Sequence, residues 1–227
     1  MTRLSILLLV VTMSLSSLPI DEQERGIAKE SRSASFQPKP LDDEWSKWLV
    51  GGWKVVSGES SVTDELGKVA KIDVDEEDTG GIEIEFGLNG QFLIMRASSG
   101  EMTNEQKKQI KDAFKETTNA SDEDIERFLS MPYKSLTIQT TDPKTGEVIG
   151  YLFDSQRCIA EGRGRREGHK EIIEWKWSAT AQGASSVSII EKINDKNFTY
   201  DHKYTLPNGN TMEDNAEFAR KKTKTEK

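Results

Sequence analysis

The chain has 227 residues, 31% of them charged and 34% hydrophobic, with a net charge of −8 and a pI of about 5.0. A single cysteine excludes a disulfide framework, and two histidines leave little material for a Cys/His zinc site. The acidic balance argues against a nucleic-acid binder driven by bulk charge, and one apolar run excludes a polytopic membrane protein.

Residues 1–17 carry Arg3 and then an apolar run from Leu4 to Leu15, broken only by serine and threonine. Ser14 and Ser16 supply small residues before a cut. This order reads as a signal peptide cleaved between Ser16 and about Ile20. An uncleaved anchor is the other reading, although the run is short for a stable membrane span. Export to a periplasmic or extracellular space is the expectation. Residues 18–40 read as a disordered linker, polar and charged from Asp21 on, with Ser31, Ser33, Ser35, Pro38 and Pro40.

The folded domain is expected over residues 41–222, followed by a short tail over 223–227. It opens on an amphipathic helix near 41–50. Asp42 and Asp43 suit its first turn, and Trp45, Trp48 and Leu49 make one apolar face. From Trp53 the period becomes two. Trp53, Val55 and Ser57 share a face; so do Ile82, Ile84 and Phe86. Between them, residues 68–78 read as a solvated hairpin end. Their acidic run lacks the glycine and terminal glutamate spacing of an EF-hand loop. Asn89-Gly90 signals a hairpin into a strand from Gln91 to Ala97.

Residues 103–132 interrupt the pattern with helical composition. Thr103 with Gln106 makes a capping box, and Pro132 ends the segment. This inserted helical hairpin reads as either a lid over a barrel mouth or a packed surface insertion. Further strands follow at 135–140, 148–153, 157–165, 173–179, 187–193, 198–205 and 211–219, separated by turn residues. About ten short strands would leave costly edges unless the sheet closes. The expected fold is therefore mainly β, an antiparallel up-and-down barrel of about ten strands. Cys158, on a strand, is expected to be buried and inert.

Barrel strands alternate inside and outside, and the aromatic faces are expected to point inward. That rule places Trp53, Phe92, Ile94, Tyr151, Phe153, Trp175, Trp177, Tyr200 and Tyr204 inside, with Arg96, His202 and Asp214 as polar groups among them. The expected ligand contacts are Trp53, Arg96, Tyr151, Trp175, Trp177, Tyr200, His202 and Asp214. An apolar pocket with a few convergent polar groups is the usual pattern of a small-molecule site. Each polar member has a plainer role open to it. His202 could be a hydrogen-bonded interior or rim residue, and Arg96 with Asp214 could be a buried pair closing the barrel.

Leu49-Val50-Gly51-Gly52-Trp53 resembles the helix-to-strand entry of calycin-like barrels. Leu88-Asn89-Gly90-Gln91-Phe92-Leu93 resembles the hairpin that follows. Thr141-Asp142-Pro143-Lys144-Thr145-Gly146, Tyr151-Leu152-Phe153-Asp154-Ser155 and Gly162-x-Gly164 resemble the middle of the same barrels. Together, over residues 41–222, they resemble domain-of-unknown-function family 1579. That likeness implies a small bacterial barrel of lipocalin-like architecture and no established reaction.

The functional expectation is non-catalytic binding of a small hydrophobic or amphipathic molecule inside the barrel. No nucleic-acid partner, metal or catalytic residue is expected, and no cofactor is required. A structural or interaction module with a filled barrel is the alternative. A further one is a haem barrel, or an enzyme using His202 and Asp214.

Overall fold

The computed structural model describes residues 39–63, 67, 69–74, 80–100, 103–117 and 121–222. The leader, most of the linker, the acidic run from Asp75 to Asp78 and the tail over 223–227 lie outside the described residues.

The chain enters through a short helix, α1 (Glu44–Leu49). Asp43 caps it by accepting from the Ser46 amide at 2.8 Å and the Ser46 hydroxyl at 2.7 Å. Strands β1 (Gly51–Thr63), β2 (Val69–Val74), β3 (Gly81–Gly87) and β4 (Phe92–Ser98) follow. Helices α2 (Asn104–Thr117) and α3 (Asp122–Ser130) come next. The remaining strands are β5 (Lys134–Thr141), β6 (Val148–Asp154), β7 (Cys158–Glu167), β8 (Lys170–Ala179), β9 (Ser185–Lys192), β10 (Asn197–Thr205) and β11 (Thr211–Arg220).

Each strand from β3 to β11 pairs antiparallel with the next, and β11 returns to β1. Ten strands thus close a barrel, and β2 is an eleventh that the sequence pattern did not mark. Strand β1 is long enough to pair β3 through Gly51–Lys54 and β2 through Gly58–Thr63. Closure removes the open edges that would otherwise template aggregation.

A bulge at Val56 shifts the β1–β11 register between Val55 and Ser57. Before it, Trp53 and Val55 face inward; after it, Ser60 and Val62 do. Ser57, expected inside, is therefore exposed.

The barrel has two packed ends. At one, Trp48 and Leu49 of α1 pack with Trp53, Ile84, Leu93, Phe198 and Phe218. At the other, Ile110 of α2 and Ile125 and Leu129 of α3 join Val62, Tyr133, Trp177, Tyr204 and Met212. The helical hairpin is thus a packed cover whose apolar residues continue the barrel core.

Candidate functional site

Between the two ends lies a cavity of about 100 Å³. Its wall includes Tyr133, Trp175, Phe198, Tyr200, Tyr204 and Phe218, with His202, Gln139 and Glu171 as polar members. On the β3–β4–β5 side the wall residues Ile82, Met95, Ala97, Ser135 and Thr137 are only half-buried.

Trp175 shapes the wall. Its ring lies over two inward-facing glycines of neighbouring strands. A Cβ on Gly150 would meet the ring at 3.0 Å, and one on Gly162 at 2.6 Å. Glycine in these strands leaves room for an indole that no other residue would leave. The Trp175 Nε1–H donates to the Ser188 hydroxyl at 2.8 Å. One turn of the pleat away, the Trp177 Nε1–H donates to the Ser186 hydroxyl at 2.8 Å. That hydroxyl also lies 2.9 Å from His202 Nε2. Ser186 accepts from Trp177, which leaves its own proton free for a neutral imidazole. Burial holds His202 neutral, pushing its pKa from 6.5 down to about 3.

Asp214 stands opposite His202 in the β10–β11 register and opposite Ser60 in the β1–β11 register. The Ser60 hydroxyl donates to its Oδ1 at 2.6 Å, while its Oδ2 has no partner. Burial raises this carboxyl to about 7, and the Ser60 bond only partly opposes the rise. Burial likewise raises Tyr133, Tyr200 and Tyr204, which the neighbouring acid reinforces. The interior is therefore rich in polar groups held uncharged.

The α1 side carries a second polar group of different character. Glu171, fully buried, accepts from Gln139 Nε2 at 2.9 Å and from Arg166 Nε at 2.7 Å. Arg166 also reaches the Asp43 carboxylate at 3.0 Å. Burial alone would raise the Asp43 carboxyl, but the Ser46 bonds and the Arg166 charge hold it below the usual range. This network ties the helix cap to the barrel mouth.

The structure brings Trp175, Tyr200 and His202 together in the cavity wall. Trp177 is buried beyond the wall and holds Ser186. Asp214 lies on the inner face beside the wall. Trp53 is fully buried, yet it belongs to the α1 plug, with its Nε1–H donating to the Leu49 carbonyl at 2.8 Å. Two expected contacts lie elsewhere. Arg96 points outward, with 56% of its side chain exposed in an ion pair with Glu85. Tyr151 is 45% exposed on the outer face, with Phe153 beside it. On β4 the inner positions go to Leu93, Met95 and Ala97, so Phe92, Ile94 and Arg96 face out. On β6 they go to Val148, Gly150 and Leu152, because Trp175 occupies the space above Gly150. Phe86 lies at the barrel rim and is exposed. Sequence reasoning missed Ser60, Ser186, Ser188, Gln139 and Glu171. Gly150 and Gly162, two glycines inside strands, were the signal that could have fixed the β6 face.

Cys158 is buried and its thiol is pushed up to about 12, first by burial and then by Asp154. Among the described residues no cluster of three or more His, Cys, Asp and Glu could hold a metal ion. None of their helices is long and apolar enough to cross a membrane. His202 Nε2 lies against the Ser186 hydroxyl, and its ring is flanked by Tyr200 and Tyr204.

No protein-family model matches the chain. No curated protein matches it either. Among solved structures, the chain is similar to an S-type phycobiliprotein lyase from Guillardia theta, at 12% identity and a TM-score of 0.46, over 80% of this chain and 93% of that one. It is also similar to a de novo designed fluorescence-activating β-barrel, at 11% identity and a TM-score of 0.31, over 79% and 99%. A second designed barrel, bound to DFHBI, overlaps at 8% identity and a TM-score of 0.30, over 78% and 96%. The chemistry of the site rests on this chain's own residues.

Proposed function

We propose that this chain is an exported calycin-like barrel that binds a small hydrophobic or amphipathic molecule in its interior without transforming it. The observation that carries the reading is the cavity of about 100 Å³ between two well-packed ends. Protein interiors pack to crystal-like density, and a purely structural barrel would fill this space. An aromatic wall with a few convergent polar groups is what ligand recognition requires. The leader over residues 1–17 supports export, and the resemblance to family 1579 supports the calycin-like type. An enzymatic use of His202, Asp214 and Arg96 would need the three to converge, and Arg96 lies on the outer surface.

Trp175 lines the cavity, so its fluorescence reports occupancy. Titration with a panel of lipids, quinones and small aromatic molecules is expected to quench or shift emission for at least one member. The change should be lost in Trp175→Phe. An unmoved spectrum across the panel would overturn the reading.

A further inference from the structure

We propose that the ligand of the interior cavity is a small lipophilic amine, bound as its ammonium ion against aromatic faces with Asp214 as the counter-ion. The proposal rests on the reading that the cavity is a ligand site. Three observations converge on it.

Six of the wall residues are aromatic, among them Trp175, Tyr133, Tyr200 and Tyr204. Ring faces carry negative potential and attract a desolvated ammonium. Beside that wall, Asp214 is only 4% exposed and its Oδ2 has no hydrogen-bond partner. Asp214 stands opposite the wall residue His202 in the β10–β11 register and on the same inner face, which places it behind the wall rather than in its lining. A buried oxygen without a partner is costly, and an ammonium N–H is the donor that would satisfy it. Asp154 repeats the pattern nearby. Its Oδ1 accepts from the Gln156 and Cys158 amides, its Oδ2 has no partner, and its charge also bears on Tyr133 and Tyr204.

The third observation is the absence of opposing charge. Among the described residues no lysine or arginine lines the cavity. Arg166, behind the wall residue Glu171, pairs with Glu171 through Nε and with Asp43 through Nη1, and its Nη2 is buried without a partner. His202, the base in the wall, is held neutral. A carboxylate or phosphate ligand would therefore meet no cation in the wall itself, where the nearest guanidinium already serves two carboxylates. A cation finds both an acid and electron-rich faces.

Calorimetric titration of the full chain with 2-phenylethylamine, 2-phenylethanol and 3-phenylpropionate tests this directly. The three differ in charge at similar size. The amine is expected to bind at least about 10-fold more tightly than the alcohol, the gain of one charge-assisted hydrogen bond. The carboxylate is expected to show no heat of binding. Asp214→Asn should erase the preference for the amine over the alcohol.

A proton count on the unaltered protein stands even if that variant fails to fold. The groups facing Asp214 are Ser60 from β1, His202, Tyr200 and Tyr204 from β10, and Tyr133 before β5. Of these, Asp214 is the one that changes charge near neutrality. Binding the amine at about pH 6 should therefore release about one proton, read as a difference in heat between two buffers. Equal affinity for amine and alcohol, or no proton released, overturns the amine while the cavity remains a ligand site. Failure of all three compounds overturns the amine too, and the cavity reading falls with it only if Trp175 emission is also unmoved by the wider panel.

Discussion

At the α1 mouth the barrel is closed by rings. Trp53 meets Phe198 edge to face at 4.8 Å, Phe198 stacks on Phe218 at 4.8 Å, and Trp48 covers Trp53 at 5.5 Å. Arg220 lies over Trp53 at 4.1 Å and donates to the Val50 carbonyl, pinning the end of α1 to β11. Beyond the cavity the interior changes. There the buried groups are hydroxyls, an imidazole and two carboxyls with a free oxygen each, covered by the apolar face of α2 and α3. One end holds the barrel shut mainly through ring packing, with the Asp43–Arg166–Glu171 network beside it. The other spends stability on polar groups that packing alone would not choose, and those are the groups that give a ligand something to recognise.

The largest expected effect that separates the two ends is at Trp53. Trp53→Ala empties the centre of the plug and should cost about 3–5 kcal/mol of unfolding free energy by urea denaturation. The same change at Trp175 should cost less, because that ring already faces a cavity, and it should alter ligand binding instead. Equal losses at the two positions would mean that the plug is not the stabilising end.

The plug was readable in the sequence, and the recognition end was only partly so. Trp45, Trp48 and Leu49 at helical spacing, followed by Trp53, lead to the observed cap because a helical stripe and a period-two strand each have one apolar side. Strand order and closure followed from turn residues and regular spacing. Inner faces on β4 and β6 did not follow, because both strands are apolar on both sides and hydrophobicity cannot choose between them. Choosing needed the neighbours: Trp175 over Gly150 and Gly162 decides β6 from two strands away. Ser60 became an Asp214 partner through a bulge that no local pattern marks.

Next in size is the fit of Trp175 itself. Gly162→Ala places a Cβ at 2.6 Å from the ring and forces it to move. We expect a loss of about 1–3 kcal/mol and a shifted tryptophan emission, measured in the same denaturation experiment. At Gly146, where a Cβ would meet nothing within 4 Å, the strain comes only from its φ of +75°. Gly146→Asn, which tolerates that conformation, should leave emission unchanged.

Smaller again, but specific to the polar end, is a pair of opposed pH effects. Burial raises Asp214 from 3.8 to about 7, so between those values the folded chain holds a proton that the unfolded chain releases. Stability from this group falls as pH rises through that window. His202 is lowered from 6.5 to about 3, so there the unfolded chain takes up a proton that the folded chain refuses. Stability from His202 rises with pH over its window. Each slope reaches at most about 1.4 kcal/mol per pH unit, and between about pH 4 and 6.5 the two oppose one another. Asp214→Asn should therefore steepen the rise of stability with pH, and His202→Asn should turn it into a fall. Parallel profiles for both variants and the parent would show that neither group is held as described.

The smallest expected effect lies on the outer wall. Tyr151 and Phe153 are exposed and pair across β6–β7 with Glu161 and Ile159. Their rings contribute nothing to the cavity, so Tyr151→Ser should change stability by no more than about 0.5 kcal/mol and leave ligand titrations untouched. The contrast with Tyr200→Phe makes the measurement informative. Tyr200 lies in the cavity wall within the field of Asp214, and removing its hydroxyl subtracts a polar group from the wall while keeping the ring. A change in ligand affinity is expected there with little change in stability. If Tyr151→Ser weakened binding and Tyr200→Phe did not, the recognition surface would lie outside the barrel. The division between a packed end and a ligand-reading interior would then have to be abandoned.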